Sequence, residues 1–201
     1  MLRKSLVWIL TGIALTGMIS CGGKTVSRVG TDTVTDLSGR WNDTDSRLVA
    51  EEMVKDSLNR PWVDNFMKKS GKEPTVIVGT VVNRSHEHIN VQTFVNDLQR
   101  ELTNSGRVSF VAGKGEREEI RAERLDQAQN SADETVKGPG KEAGADYMMI
   151  GTINTILDEA DGTKAVFYQV DLEMVDMANN KKVWLGQKKI KKIIEKSRVK
   201  F

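Results

Sequence analysis

The chain has 201 residues, of which 38% are hydrophobic and 29% charged, with one cysteine and a formal net charge of +2. This length suits one domain, and the composition excludes a chain that is disordered throughout, a multi-span membrane protein and a disulfide scaffold. Arg3 and Lys4 are the only charged residues before Cys21, so the rest of the chain holds 28 basic and 28 acidic residues. This balance argues against a globally basic nucleic-acid-binding protein, and we expect no nucleic-acid partner.

Residues 1–20 are typical of a secretory signal peptide. Two positive charges precede a mostly apolar run from Ser5 to Ser20, which is shorter than the ~20 apolar residues of a membrane span. The end of the run, before Cys21, resembles the lipobox of bacterial lipoproteins, which implies that Cys21 is acylated. Gly22 stands where an inner-membrane retention signal has Asp, which implies the periplasmic face of the outer membrane. The alternative is an uncleaved anchor in which Cys21 is an ordinary apolar residue.

The segment after the lipobox predicts a tether. Residues 21–40 are rich in Gly, Thr, Ser and Asp and contain no aromatic residue. Such a segment cannot bury enough apolar surface to order itself, so we expect a flexible lipid-anchored chain with a mean reach of roughly 25 Å. The alternative is an ordered edge segment of the domain. Trp41 opens the predicted globular domain, residues 41–201.

The globular part predicts an α+β fold. Asn42 and Asp43 are suited to cap a helix from about Thr44, and Pro61 bends or restarts that helix. Apolar spacing predicts a second amphipathic helix from Val91 to Leu102. A polar composition predicts an exposed helix over 115–134. Strands are predicted over 75–82, 107–112, 146–158, 164–177 and 181–189, with short helical turns at 141–144 and from Ile190 to Ile194.

Two strands have informative patterns. Thr75–Val82 is β-branched and nearly all apolar, which predicts a strand buried on both faces. Lys164–Met177 alternates strictly, so that five apolar residues face one way: Val166, Tyr168, Val170, Leu172 and Met174. The order of the elements predicts a mostly antiparallel sheet of about four to five strands flanked by helices.

Catalytic and cofactor motifs are weak in this sequence. His86 and His88 flank Glu87 and could supply two metal ligands, but they lack a third His or a second Cys, so two solvated loop histidines are the simpler interpretation. Lys114 lies in a Gly113–Gly115 loop without the spacing of a phosphate-binding loop. No paired carboxylates are marked as buried acid–base catalysts. We therefore expect a protein that is not an enzyme and has no cofactor and no metal site.

Charge is segregated along the chain. Residues 181–201 contain nine Lys or Arg residues and one Glu, so the remainder of the mature chain is acidic. Lysines at a strand edge prevent pairing with other chains, and this is one interpretation. The other is a basic face for an acidic partner or an anionic glycan, which would raise the association rate and its salt sensitivity.

Several motifs point together to one family. The most specific are Arg40-Trp41-Asn42-Asp43-Thr44-Asp45 and Asn83-Arg84-Ser85-His86-Glu87-His88; others are Gly106-Arg107-Val108, Glu116-Arg117-Glu118-Glu119, Gly144-Ala145-Asp146-Tyr147, Tyr168-Gln169-Val170 and Lys182-Val183-Trp184. They span roughly residues 38–195 and resemble the LpoB family, lipoprotein activators of bifunctional penicillin-binding proteins. The resemblance implies a monomer that docks on a regulatory domain of a class A penicillin-binding protein and stimulates both glycan polymerisation and peptide cross-linking.

The resemblance directs attention to strand ends, where binding residues commonly lie. We predict a docking face at Asn83, Arg84 and Ser85, with Lys114 and Arg117 nearby. The alternative for Asn83 and Ser85 is that they cap and turn the backbone. The tryptophans at 41, 62 and 184 are interpreted as core anchors rather than partner contacts.

The sequence departs from the family in its tether, and two alternative functions stay open. Some family members have a long Pro-rich tether, whereas all three prolines here (Pro61, Pro74 and Pro139) lie in the predicted domain. The first rival function is a structural subunit of a curli-secretion-type lipoprotein pore, which needs long strands that alternate apolar and polar residues. The second is a hydrolase or metal enzyme at His86 and His88.

Overall fold

The computed structural model describes residues 26–195 except 133, 139 and 141. The predicted signal peptide and Cys21 lie outside the described residues. Two compact units are separated, Met1–Thr33 and Val34–Phe201. Of the first unit, residues 26–33 are described; they are exposed and contain a turn at Thr31 and Asp32.

The described residues contain four helices, which we label α1 to α4: Asp43–Leu58, Pro61–Ser70, Val91–Asn104 and Lys114–Asn130. Asn42 caps α1 as predicted, because its side chain accepts a hydrogen bond from the Asp45 amide at 3.0 Å while Asp45 accepts one from the Asn42 amide at 3.0 Å. Pro61 occupies the first turn of α2, where its missing N–H is tolerated. Gly71, with φ of 70°, ends α2 in the left-handed conformation.

Five strands form one sheet in the described residues, labelled β1 to β5: Thr75–Arg84, Ser109–Phe110, Tyr147–Ala160, Thr163–Asp176 and Lys182–Glu195. Their spatial order is β2-β1-β3-β4-β5. β1 pairs in parallel with β2 and β3, whereas the three 14-residue strands β3, β4 and β5 pair antiparallel. A register shift interrupts β1 between Val78 and Val81. The α+β class and the mostly antiparallel sheet are as predicted.

Helices α1 and α3 cover one face of the sheet and form the core with it. Val49 and Ala50 of α1, Phe94 and Leu98 of α3, and Met174 of β4 are all buried in one cluster. All five apolar residues that the alternation of β4 placed on one face are buried there. We call this side of the sheet the covered face and the opposite side the open face.

The open face exposes apolar side chains beside a polar cluster. Leu185 is 69% exposed and Ile156 is 65% exposed. Asp171 lies among three amide side chains and accepts hydrogen bonds from Asn154 at 3.4 Å, Gln169 at 2.8 Å and Gln187 at 2.8 Å. Burial of β1 on both faces is confirmed only for its first half, since β1 alternates between buried and exposed residues beyond Gly79.

Three local predictions are wrong. The helical turn from Ile190 to Ile194 is absent, because β5 continues to Glu195 in register with β4. The spacing of these isoleucines imitates a helix. In the strand, Ile190 and Ile194 lie on one face with Lys192 between them, and they pair opposite Tyr168 and Lys164. Residues 142–145 are irregular, where a helical turn was predicted, and residue 141 lies outside the described set. The strand predicted over 107–112 is reduced to Ser109–Phe110.

The exposed helix predicted over 115–134 corresponds to α4, none of whose residues is buried. Within the described part of the chain, no helix has the length and apolar character to cross a membrane.

Candidate docking surface

The loop that follows β1 is built by its own polar side chains. The Asn83 amide donates to the Glu87 carbonyl at 2.8 Å, while its oxygen accepts from the Ser85 N–H at 2.9 Å. The Ser85 hydroxyl donates to the same Glu87 carbonyl at 3.0 Å. Asn83 and Ser85 therefore shape the turn.

Arg84 is the member of this predicted trio that faces solvent. It is exposed, and no hydrogen bond or ion pair holds its side chain among the residues that the structure describes. It lies on the open face at the end of β1, in register with Asn154 of β3. The turn made by Asn83 and Ser85 thus presents one unpaired guanidinium at the rim of the sheet.

Glu87 ties this loop to two distant parts of the chain. Its carboxylate accepts a hydrogen bond from the backbone N–H of Trp41 at 3.1 Å and one from the Tyr168 hydroxyl at 2.7 Å. The Trp41 ring makes edge contacts with Phe94 and Tyr168, at centroid distances of 6.0 and 5.7 Å. Burial and the hydrogen bond to Glu87 strongly raise the pKa of the Tyr168 phenol. Three of the motifs that carried the family resemblance therefore meet around one carboxylate.

The two histidines of the loop occupy different environments. The His86 N–H and its Nδ1 both lie within hydrogen-bond distance of Thr155 Oγ1, at 3.0 and 2.8 Å. His88 is exposed. No group of three or more His, Cys, Asp or Glu side chains suited to a metal ion occurs among the described residues.

Lys114 and Arg117 begin α4 and form a second part of the predicted surface. Lys114 is exposed and lines a depression of about 480 Å³ together with Thr80 of β1 and Gln92 of α3. Arg117 is half-buried, and its Nε has no hydrogen-bond partner in the described part of the chain. Residues 83–85 do not line this depression. The structure thus shows two separate basic positions near β1 and records no contact between them.

A strap of residues 35–41 crosses the covered face at the far end of the sheet, where Lys192 of β5 holds it. The Lys192 ammonium donates to Asp36 at 2.5 Å, to Asp45 at 2.6 Å and to the Arg40 carbonyl at 3.1 Å. Gly39, with φ of 68°, lies against Ile194 so closely that a Cβ would overlap that side chain. These contacts hold the strap on the domain. The boundary of the tether at residue 40 stays a prediction.

Lys192 stabilises the charges of both carboxylates in this cluster, against the burial of Asp45. The hydrogen bond from Lys192 lowers the pKa of Asp36. Burial raises the pKa of Asp45, although the hydrogen bonds from Lys192 and the Asn42 N–H oppose that shift. Burial alone would lower the pKa of Lys192, but its hydrogen bonds to the two carboxylates outweigh burial and raise it. The three groups therefore form an ionic cluster in which Lys192 is the shared cation of Asp36 and Asp45.

The basic C-terminal segment is partly neutralised within the domain. Lys182 pairs with Glu173, Lys188 with Glu52 of α1, and Lys192 with Asp36 and Asp45. The tryptophans behave as core anchors, as predicted: Trp62 and Trp184 are each 5% exposed, and Trp41 packs against the core. Trp184 also donates a 2.8 Å hydrogen bond to Asp56 of α1.

Sequence reasoning missed the roles of Glu87 and Lys192. Both act through partners far away in the chain, which no local pattern reveals. For Glu87 a signal was available, since it lies inside one of the two most specific motifs. For Lys192 the only signal was an acidic Asp36 in a segment interpreted as a tether.

The sequence model described as peptidoglycan-synthase activator LpoB matches residues 45–190. Similar solved structures include the LpoB C-terminal domain from Salmonella enterica, with 16% identity over 68% of this chain and 94% of that chain and a TM-score of 0.32. They also include the LpoB C-terminal domain from Escherichia coli, with 14% identity, coverages of 70% and 97% and a TM-score of 0.37. A third is the lipoprotein GNA1162 from Neisseria meningitidis, with 16% identity, coverages of 63% and 88% and a TM-score of 0.39. No curated protein matches the sequence significantly.

Proposed function

Because the chain belongs to the LpoB family of peptidoglycan-synthase activators, we propose that it binds a bifunctional, class A penicillin-binding protein and stimulates both its glycosyltransferase and its transpeptidase activity. The observation that supports this proposal is the family match over residues 45–190, most of the folded domain. The outer-membrane lipoprotein acts without chemistry of its own.

Activation of this kind needs only differential binding. A protein that binds the active conformation of a synthase more tightly than the resting one shifts the population toward activity. A tenfold preference corresponds to about 1.4 kcal/mol, which a small polar surface can provide. A rigid loop is suited to this role, and Glu87 fixes the 83–89 loop to Trp41 and Tyr168.

We assign the docking surface to the rim of the sheet at the end of β1. Arg84 supplies an exposed cation, and Asn83 and Ser85 hold its loop. Lys114 and Arg117 at the start of α4 form a second, separate part of this surface. Arg side chains are favoured at protein interfaces because the guanidinium donates several hydrogen bonds in a fixed geometry. An acidic or carbonyl-rich patch on the regulatory domain of the synthase would complement this surface.

The lipid anchor at Cys21 and the tether complete the proposal. Acylation of Cys21 holds the protein on the periplasmic face of the outer membrane, and residues 21–40 span the gap to the domain. The contacts of Asp36 and Gly39 with β5 shorten the free part of that segment. At a mean reach of roughly 25 Å or less, the domain works close to the membrane or with a stretched tether.

A binding experiment tests the proposal. The acylated protein in detergent and the cognate class A synthase are mixed at micromolar concentrations, and complex formation is followed by pull-down and by analytical ultracentrifugation. The proposal requires a complex of one activator with one synthase, formed from an activator that is monomeric alone. A ring-shaped oligomer without affinity for the synthase would favour the pore function instead.

A further inference from the structure

The two edges of the sheet differ greatly. β2 forms one edge with only two residues, whereas β5 forms the other with 14 residues. The backbone of β5 pairs with β4 along its whole length, and its outer side has no backbone hydrogen bond to any other described segment. A long row of unpaired N–H and C=O groups is a template for a further strand.

Side chains of β5 divide into two sets with different surroundings. Trp184, Lys188 and Lys192 point to the covered face, where each meets a carboxylate of Asp56, Glu52, or Asp36 with Asp45. The open-face set alternates with these residues and consists of Leu185, Gln187, Lys189, Lys191, Ile193 and Glu195. Leu185 and Ile193 are 69% and 56% exposed, so an exposed apolar group lies on each side of the two lysines.

Lys189 and Lys191 are uncompensated positive charges in the middle of this edge. Both are exposed, and neither makes an ion pair or hydrogen bond with the residues that the structure describes. Their cross-strand neighbours are Gln169 and Phe167, which carry no charge. The two ammonium groups project from the same face of one strand, with backbone positions about 7 Å apart.

This charge pattern determines which kind of strand can pair with the free edge of β5. A second copy that pairs its own β5 antiparallel around Ile190 would place Lys189 opposite Lys191, and like charges directly opposite each other are destabilising. A strand with acidic residues at the two facing positions would instead form cross-strand ion pairs. The same lysines therefore oppose self-pairing in this register and favour an acidic strand.

We propose that β5 is a strand-addition site for an extended acidic segment of a partner protein. The segment has Asp or Glu at two alternate positions, which face Lys189 and Lys191, and apolar residues nearer its ends, which face Leu185 and Ile193. Main-chain hydrogen bonds supply the affinity of such a complex, and the alternate side chains supply its specificity. The site is distinct from the Arg84 loop, and it stands whether or not the domain docks on a synthase.

Three synthetic peptides of about 11 residues test the proposal against the full-length protein. The first has the acidic pattern, the second is the same peptide with alternate backbone nitrogens methylated, and the third carries Lys in place of the two acidic residues. Binding is measured by fluorescence anisotropy, and contacts are mapped by amide chemical shifts. We expect the acidic peptide to bind and to shift β5 amides, with at least a tenfold loss on methylation, because methylation removes the donors and leaves the charges unchanged.

The double variant Lys189→Glu/Lys191→Glu provides the reciprocal test. Its affinity for the acidic peptide should fall by at least tenfold, and it should bind the lysine peptide. Binding of the lysine peptide also shows that the variant is folded. The matched control Lys68→Glu/Lys69→Glu changes two exposed lysines of α2 and should change neither affinity. Equal binding of the methylated peptide, or equal competition by an unstructured polyanion or anionic glycan, would show a simple electrostatic patch and overturn the proposal. No binding of the acidic peptide would overturn it as well.

Discussion

The Tyr168 hydroxyl donates a 2.7 Å hydrogen bond to Glu87, 81 positions away in the chain. Tyr168 lies in the middle of β4 and is fully buried, whereas Glu87 is half-buried in the loop after β1. Because Glu87 also accepts from the backbone N–H of Trp41, one carboxylate connects the segment before α1, the loop after β1 and the centre of the sheet. The position of Arg84 therefore depends on the core.

Replacement of Tyr168 by Phe should destabilise the domain by about 1.5–3 kcal/mol at pH 7, since it removes a hydrogen bond to a charged group. Urea unfolding monitored by circular dichroism measures this difference. Tyr147→Phe serves as the control, because no hydrogen bond of the Tyr147 hydroxyl to a described residue is lost. An equal and small effect of both changes would contradict the role given to Glu87.

The same residue predicts a dependence of stability on alkaline pH. The pKa of Tyr168 is raised in the folded state, whereas an unfolded tyrosine ionises near 10. Above pH ~10 the unfolded chain loses its proton first, so the free energy of unfolding falls with rising pH by up to about 1.4 kcal/mol per unit. In Tyr168→Phe the free energy of unfolding should fall less steeply with pH. The slope that persists comes from Tyr147, whose pKa is raised by burial. An unchanged slope would contradict the assignment.

Lys192→Met should be strongly destabilising, by about 3 kcal/mol, because it leaves Asp45 buried without its cation. Both side chains of this pair are nearly inaccessible, at 9% and 8% exposure. The control Lys188→Met removes a pair whose Glu52 side chain is 60% exposed, and it should change stability by less than about 1 kcal/mol. Addition of Asp45→Asn to Lys192→Met should recover much of the loss. Equal effects of the two lysine changes would contradict the ionic cluster.

Arg84→Ala should weaken synthase binding by about tenfold or more while leaving the unfolding midpoint unchanged, because the side chain has no partner within the described domain. Arg28→Ala removes another exposed arginine, outside the domain, and should have no effect on binding. Titration of each variant against the immobilised synthase gives the affinities. Loss of binding for both variants alike would indicate a nonspecific charge effect.

Cys21→Ser should abolish acylation. Cells grown with radiolabelled palmitate should label the natural chain and not the variant, since Cys21 is the only thiol of the sequence. Membrane fractionation should then find less of the variant than of the natural chain in the outer membrane. Label that persists in the variant would refute the lipobox assignment.

Local patterns predicted much of this fold, because its signals are short-range. The alternation in β4, the Asn42 cap and Pro61 at the start of α2 are all consequences of backbone geometry acting over a few residues. β5 shows the limit of such signals. The spacing of Ile190, Ile193 and Ile194 fits a helical turn better than an alternating strand, and pairing with β4 overrides this local signal.

The docking surface was harder to predict than the fold. Asn83, Arg84 and Ser85 were grouped as binding residues, but two of the three have their side chains engaged in the turn. A polar residue after a strand carries the same sequence signal whether it bonds its own backbone or faces a partner. The links from Lys192 to Asp36 and from Glu87 to Tyr168 depend on packing between distant segments.

The most direct test of the central claim is a lipid II polymerisation assay with the cognate class A synthase. Addition of the acylated protein at micromolar concentration should raise the rate of glycan synthesis and the fraction of cross-linked peptides, whereas the protein without synthase should produce no polymer. An unchanged synthase rate in the presence of the activator, or polymer formed by this chain alone, would contradict the account.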